Sequence, residues 1–160
     1  MKNKFAKRLI NCGVLIAMVA IMAGQSAKAQ TLGHGLRVNI PFDFSVGNKK
    51  LPAGQYSVSR ALPNSGDQLI EISSLDGKAG IFRTTFPVTA LTPKDKSTLL
   101  FHRYGDQYFL FEVWPAGAST GLTWPRSRSE RELQEQTESV GLLQPQARES
   151  EVVTIVADLP

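Results

Sequence analysis

Leu36-Arg37-Val38-Asn39-Ile40-Pro41-Phe42-Asp43-Phe44-Ser45-Val46 carries an apolar side chain at every second position from end to end. Period two is the signature of a strand with one face on a core and the other in water. Pro41 has no amide donor, so this strand is expected at a sheet edge or with a bulge at that point.

Outward from this strand the chain reads as short strands separated by turn chemistry. Gly47-Asn48 ends the first strand, and Leu51-Pro52-Ala53-Gly54 suits a type I turn. Residues 55–61 form a short strand with Tyr56 and Val58 on one face, and residues 63–67 are dense in turn formers. Residues 68–74 and 79–89 flank Asp76-Gly77, a hairpin signal. A two-residue loop there sets Ile72 opposite Ile81 but puts Phe82 on the face of Glu71 and Ser73. A longer loop or a bulge is therefore expected.

The most apolar hairpin follows, with residues 97–104 and 107–114 around Gly105-Asp106, a turn of type II′ or I′. That turn pairs Arg103 with Tyr108, Phe101 with Leu110 and Leu99 with Glu112. The other face then holds Leu100, His102, Tyr104, Phe109, Phe111 and Val113. Apolar residues on both faces place this hairpin in the middle of the structure, covered on both sides. Residues 120–124 form a short strand. Ser129 and Glu132 make a capping box for a helix over about 129–139, polar nearly all round, with Leu133 its main apolar residue. Residues 152–157, rich in valine and isoleucine, close the domain as a last strand.

The expected fold is mainly β: an antiparallel sandwich or small barrel of seven to eight strands, with one late surface helix. Residues 36–160 form a single β domain, and residues 30–35 a flexible leader. An outer-membrane barrel is set aside, because only the first strand has the length and alternation to span a bilayer.

Residues 1–29 read as a cleaved signal peptide. Lys2, Lys4, Lys7 and Arg8 precede a short apolar run over residues 9–24, and Ala27-Lys28-Ala29 is a small-x-small site before Gln30. The run is shorter than the ~20 residues of a membrane span and is interrupted by Asn11 and Gly13, so no stable membrane insertion is expected after cleavage. Cys12 precedes most of the apolar run, which excludes a lipoprotein signal. Cleavage between Ala29 and Gln30 removes five of the 18 basic residues and none of the 14 acidic ones, changing the formal charge from +4 to −1. Without positive charge the mature chain has no electrostatic basis for nucleic-acid binding. It also has no cysteine, hence no disulfide, thiolate nucleophile or cysteine zinc site. The destination is the periplasm or the extracellular space.

Two blocks, residues 40–47 running through Leu51-Pro52-Ala53-Gly54-Gln55-Tyr56, and Leu100-Phe101-His102-Arg103-Tyr104-Gly105-Asp106-Gln107-Tyr108-Phe109-Leu110, resemble an uncharacterised family of small exported bacterial β-domain proteins. Its members often continue, as here, into a tryptophan, a loop and a charged segment, Ser127-Arg128-Ser129-Glu130-Arg131-Glu132-Leu133. The resemblance covers most of the mature chain and implies no catalytic residues, since no activity is established for the family.

Reactive groups are few. His34 lies between two glycines in the leader. His102 is mid-strand opposite Phe109, with Asp106 in the turn and Glu112 on the other face, so it reads as a buried, hydrogen-bonded histidine rather than part of a triad. The two histidines are too isolated to hold zinc, and Asp67, Glu71 and Asp76 are too spread for calcium, so no metal or cofactor is expected. Asp43 and Glu112 are the strand carboxylates that a glycosidic mechanism would need to bring together. Aromatic residues cluster from Phe101 to Trp114, as β cores require. Within that cluster Arg103, Tyr108 and Trp114 share one face in the expected register, and they are the candidate residues for binding a ligand or partner.

Three functions remain: a non-enzymatic domain binding an unknown protein or envelope component, a small barrel carrying an apolar ligand, and, least favoured, a small hydrolase. The processing expectation is tested by intact-mass measurement of the exported protein. It should begin at Gln30, and retention of Met1 or a lipid on Cys12 would overturn it.

Overall fold

The computed structural model describes residues 35–61, 68–143 and 151–157. The leader with its cleavage site, His34 and the turn at 63–67 lie outside these residues. Among the described residues the fold is mainly β, with two sheets, no closed barrel and one late helix. In chain order the elements are β1 (Leu36–Ile40), β2 (Phe44–Val46), β3 (Lys49–Leu51), β4 (Gly54–Arg60), β5 (Leu69–Ser74), β6 (Gly80–Thr84), β7 (Phe86–Thr89), β8 (Thr98–Tyr104), β9 (Gln107–Trp114), β10 (Thr120–Thr123), α1 (Arg128–Leu143) and β11 (Glu151–Val156). The first sheet has the order β1-β4-β5-β6. The second has the order β11-β8-β9-β10-β7, with β2 added parallel to β9 and β3 paired to β2.

The strand count exceeds seven to eight because two expected strands each serve both sheets. Residues 36–46 keep their period-two pattern, yet β1 pairs with β4 in the first sheet while β2 pairs with β9 in the second. The break falls at Pro41–Asp43, where proline has no donor to give a neighbouring strand. Residues 79–89 divide in the same way at Thr85, which is fully buried and donates both its N–H (2.6 Å) and its Oγ1 hydroxyl (3.0 Å) to the Gln68 carbonyl. Backbone groups at a crossing have no ladder partner, so such local bonds are required. The third addition is β3, which pairs with β2 across Gly47-Asn48.

Alternation in β1 is realised as expected: Leu36, Val38 and Ile40 are buried and Arg37 and Asn39 exposed. These residues meet Phe44, Val46, Tyr56, Val58, Ile70, Ile72, Leu99, Phe101, Leu110 and Val113 in one core between the sheets. Phe101 sits at its centre, with Phe42 (5.3 Å) and Phe44 (5.7 Å) edge-on to its ring.

Both hairpins refine the expected registers. The Asp76-Gly77 loop is longer than two residues: Ser74 N–H bonds to Ala79 O, and Gly77 N–H returns to Ser74 O. Ile72 nevertheless stands opposite Ile81 and Glu71 opposite Phe82. A four-residue loop centred on the same point leaves the register unchanged, so Phe82 faces solvent, 59% exposed. At Gly105-Asp106 only the glycine has positive φ (+60°), which fits type II′ and excludes type I′. Arg103 faces Tyr108, and Phe101 faces Leu110. A bulge then intervenes, and Leu99 pairs with Val113 instead of Glu112. The extra residue turns Glu112 away from the core and Val113 into it, reversing both expected placements.

The helix also differs from expectation. It starts at Arg128, and its cap is Ser127, whose Oγ accepts the Glu130 N–H (3.1 Å) while its carbonyl accepts the Arg131 N–H (3.1 Å). Ser129 is therefore not the cap; it lies inside the first turn. The closing strand is β11, antiparallel to β8 from Glu151 opposite Arg103 to Val156 opposite Thr98.

Gly121 shows how tightly the second sheet is packed. A Cβ there would lie 2.6 Å from the Trp114 indole, which crosses this position from β9. Gly121→Ala should destabilise the domain by about 1–3 kcal/mol through overpacking, and Phe101→Ala by about 3–5 kcal/mol. Phe82→Ala should stay within about 0.5 kcal/mol. Urea melts of the three variants check this ranking, and a Phe101→Ala protein that melts like the parent would remove the hairpin from the core.

Candidate functional site

The second sheet has an inner face on the core and an outer face. Pairing and the bulge assign Leu99, Phe101, Arg103, Tyr108, Leu110 and Val113 to the inner face. His102, Tyr104, Phe109, Phe111, Glu112 and Trp114 take the outer face.

The three expected binding residues do not converge. Arg103 and Tyr108 come together, with the guanidinium 5.6 Å from the Tyr108 ring centroid. Tyr108 in turn stacks on Phe42 at 3.8 Å. The same arginine donates to Gly105 O (2.9 Å) and to Glu151 Oε2 (3.2 Å), tying the turn to β11. Trp114 lies on the opposite face because of the bulge. It is buried, donates its indole N–H to Glu112 Oε2 (2.8 Å), and has Lys94 Nζ 5.5 Å from its ring. The strand carboxylates are likewise engaged locally: Asp43 Oδ1 accepts the Ala53 N–H (3.0 Å), and Glu112 holds Trp114.

His102 is buried and hydrogen-bonded, with a partner that sequence reasoning did not identify. Its Nδ1 is 2.6 Å from Glu130 Oε1 on α1, and its ring stacks on Phe111 at 3.7 Å and 6°. Glu130 is only 4% exposed, and Arg126 Nε approaches the same oxygen at 3.6 Å. A carboxylate removed from water needs such partners, since an unpaired buried charge costs several kcal/mol. Over residues 128–139 the inward stripe of α1 is Glu130, Leu133, Gln134 and Thr137, at helical spacing but largely polar. A search for an apolar stripe passes over it. The available signal was the S-x-x-E pattern beginning at Ser127, which puts Glu130 at the third helical position.

A surface cavity of about 280 Å³ opens between the β3–β4 turn and the β5–β6 hairpin, lined by Pro52, Gln55, Tyr56, Leu75, Asp76 and Lys78 among others. The Tyr56 hydroxyl donates to Pro52 O (2.7 Å). Burial, and then the charges of Asp76 and Asp43, push its pKa up. The Asp76 carboxyl is held below the usual range, first by the Ser74 hydroxyl (2.6 Å), then by the Lys78 N–H (3.1 Å). Among the described residues no group of three or more histidine, cysteine, aspartate or glutamate side chains could hold a metal ion.

The largest exposed apolar side chains between the hairpin and the following loop are Leu75, Phe82, Phe86 and Leu91. Phe82 and Phe86 stand on the solvent side of the chain that crosses from β6 to β7. Glu71 is opposite Phe82 and Thr123 opposite Phe86.

Compared with protein-family models, with curated proteins and with solved structures, this chain matches none of them. What it does must be read from its own side chains.

Asp76 supplies a test of the hairpin loop. Its folded-state pKa is depressed, so its contribution to stability is full above the unfolded carboxyl pKa and lost as pH falls through the lower folded value. Asp76→Asn should remove that component of the acid dependence in urea melts, with little change at neutral pH in the slope against pH. An unchanged acid profile would show that the loop does not favour the ionised carboxylate.

Proposed function

We propose that the protein is a non-enzymatic exported β domain that binds a partner protein or envelope component through the side chains on the β6–β7 crossing. The observation that carries this reading is the exposure of Phe82 (59%) and Phe86 (54%), four residues apart on the chain that makes that crossing. Single exposed apolar residues are ordinary, but two large aromatics on one short segment, with Leu75 and Leu91 flanking it in sequence, suit an interaction surface.

The edges of the same segment favour recognition by side chains over strand addition. Lys49 Nζ donates to the Gly80 carbonyl (2.8 Å), capping an acceptor that would otherwise face the edge of β6. Ala90 N–H bonds across to Ser119 O, so strand alternation turns the amide position of Pro87 toward the unpaired edge of β7. Proline has no donor there.

Neither rival reading gains comparable support. An apolar carrier calls for space between the sheets, whereas the core there is filled by Phe44, Tyr56, Phe101 and their neighbours, all essentially inaccessible. A hydrolase would need His102 to reach substrate, but the imidazole has one nitrogen on Glu130 and one face on Phe111. Export is supported by the tripartite pattern of residues 1–29.

A photoreactive phenylalanine analogue placed at position 82 or 86 of the exported protein should form one and the same covalent adduct with an envelope or extracytoplasmic component. The same analogue at Glu132, exposed on α1, should not. Equal or absent crosslinking at all three positions would overturn this assignment of the surface.

A further inference from the structure

We propose that α1 is a releasable strap on the second sheet, with the His102–Glu130 contact as its latch. The inference is independent of the binding surface on β6–β7 and rests on how the helix is held. A surface helix is ordinarily fixed by an apolar stripe, whereas over residues 128–139, whose side chains are described, α1 turns Glu130, Leu133, Gln134 and Thr137 inward, a single aliphatic side chain among three polar ones. The short buried contact is Glu130 Oε1 to His102 Nδ1, 2.6 Å, inside the first turn. Most other polar contacts of the helix are its own, such as Arg128–Glu132, Gln134–Glu138 and Thr137 Oγ1 to Leu133 O. Those bonds travel with the helix when it leaves.

A 16-residue helix is near the length at which an isolated helix is marginal in water. Its persistence on the sheet therefore depends on docking, to which the latch is the buried polar contact among the described side chains. The two sides differ in what release does to them. Among the described residues the core between the sheets comes from the strands and the segments flanking them, and no α1 side chain belongs to it. What opens is the outer face of β8–β9, where His102 and Phe111 are stacked. Arg126, in the connection that precedes α1, keeps its 3.6 Å approach to Glu130 only while the first turn stays wound. Release is thus a local opening, with the β-sandwich intact beneath it.

Site-resolved amide hydrogen exchange on the full mature chain tests this. In the parent, amides over residues 132–139 should exchange about ten-fold or more faster than those of β8 and β9, as a sub-global opening requires. Glu130→Ala should accelerate the helix by about a further ten-fold while β8 and β9 change by less than about two-fold. It should also raise binding of an apolar dye. Glu132→Ala, which removes only the exposed pair with Arg128, should do neither. Three results would overturn the proposal: helix and sheet exchanging at one common rate, a Glu130→Ala helix protected like the parent, or a Glu130→Ala chain that no longer folds. The first and third would make α1 an integral layer of the fold. The second would show that the contact does not hold it.

Discussion

Phe111 has no partner across the β8–β9 hairpin, and that one extra residue determines what the second sheet can bury. In an unbroken ladder Leu110 and Glu112 would share the inner face, and a carboxylate would enter a core built from Leu99, Phe101 and Val113. Moving an unpaired carboxylate out of water is far more costly than a local break in the ladder. The bulge turns Glu112 outward, where it takes the Trp114 N–H at 2.8 Å. Val113 moves inward to face Leu99. Downstream of the bulge every side chain of β9 changes sides, and Trp114 crosses the outer face over Gly121. The glycine is needed on the neighbouring strand because the tryptophan was displaced by one residue on its own.

The same bulge prepares the place where α1 lands. Phe111 joins His102 on the outer face, and its ring is the flat support against which the imidazole lies parallel at 3.7 Å. Fixed in that way, His102 presents Nδ1 to Glu130 with little freedom to lose on docking. Ser127 fixes the other side of the contact. By capping the Glu130 N–H it holds the first turn of the helix, and so the carboxylate, in position. The hairpin segment around His102 and the charged segment around Glu130, far apart in the chain, meet at this one hydrogen bond.

Much of this architecture was legible in the sequence, because period-two alternation reports directly on burial. The alternation of residues 36–46, the Phe101–Leu110 and Arg103–Tyr108 pairs, the buried histidine, the late helix and the final strand all follow from local pattern and turn chemistry. The handover between sheets does not, since the pattern from Ile40 through Phe42 to Phe44 is unbroken while the hydrogen-bonding partner changes. Nor does the bulge, which leaves no gap in the apolar run from Phe109 to Phe111. The outward Phe82 runs against its own hydrophobicity. Glu130 is hard to read for a related reason: an inward helix face is marked by apolar residues, and over residues 128–139 this one is largely polar.

The placement of Phe82 and Phe86 makes sense once the edges around them are considered together. A chain that leaves one sheet to join another has an unpaired side in each, and unpaired sides invite strand pairing with other molecules. Here the exposed aromatics would add apolar attraction to that invitation. The Lys49 ammonium on Gly80 O and the absent amide of Pro87 remove one acceptor and one donor at the two places where a foreign strand would begin its ladder. Glu71, opposite Phe82, puts a charge beside the first aromatic ring. With ladder growth opposed and the rings left bare, contact at this crossing is biased toward a surface that fits the side chains and away from another strand in register. An apolar surface can then be retained there without making the crossing an open template for aggregation.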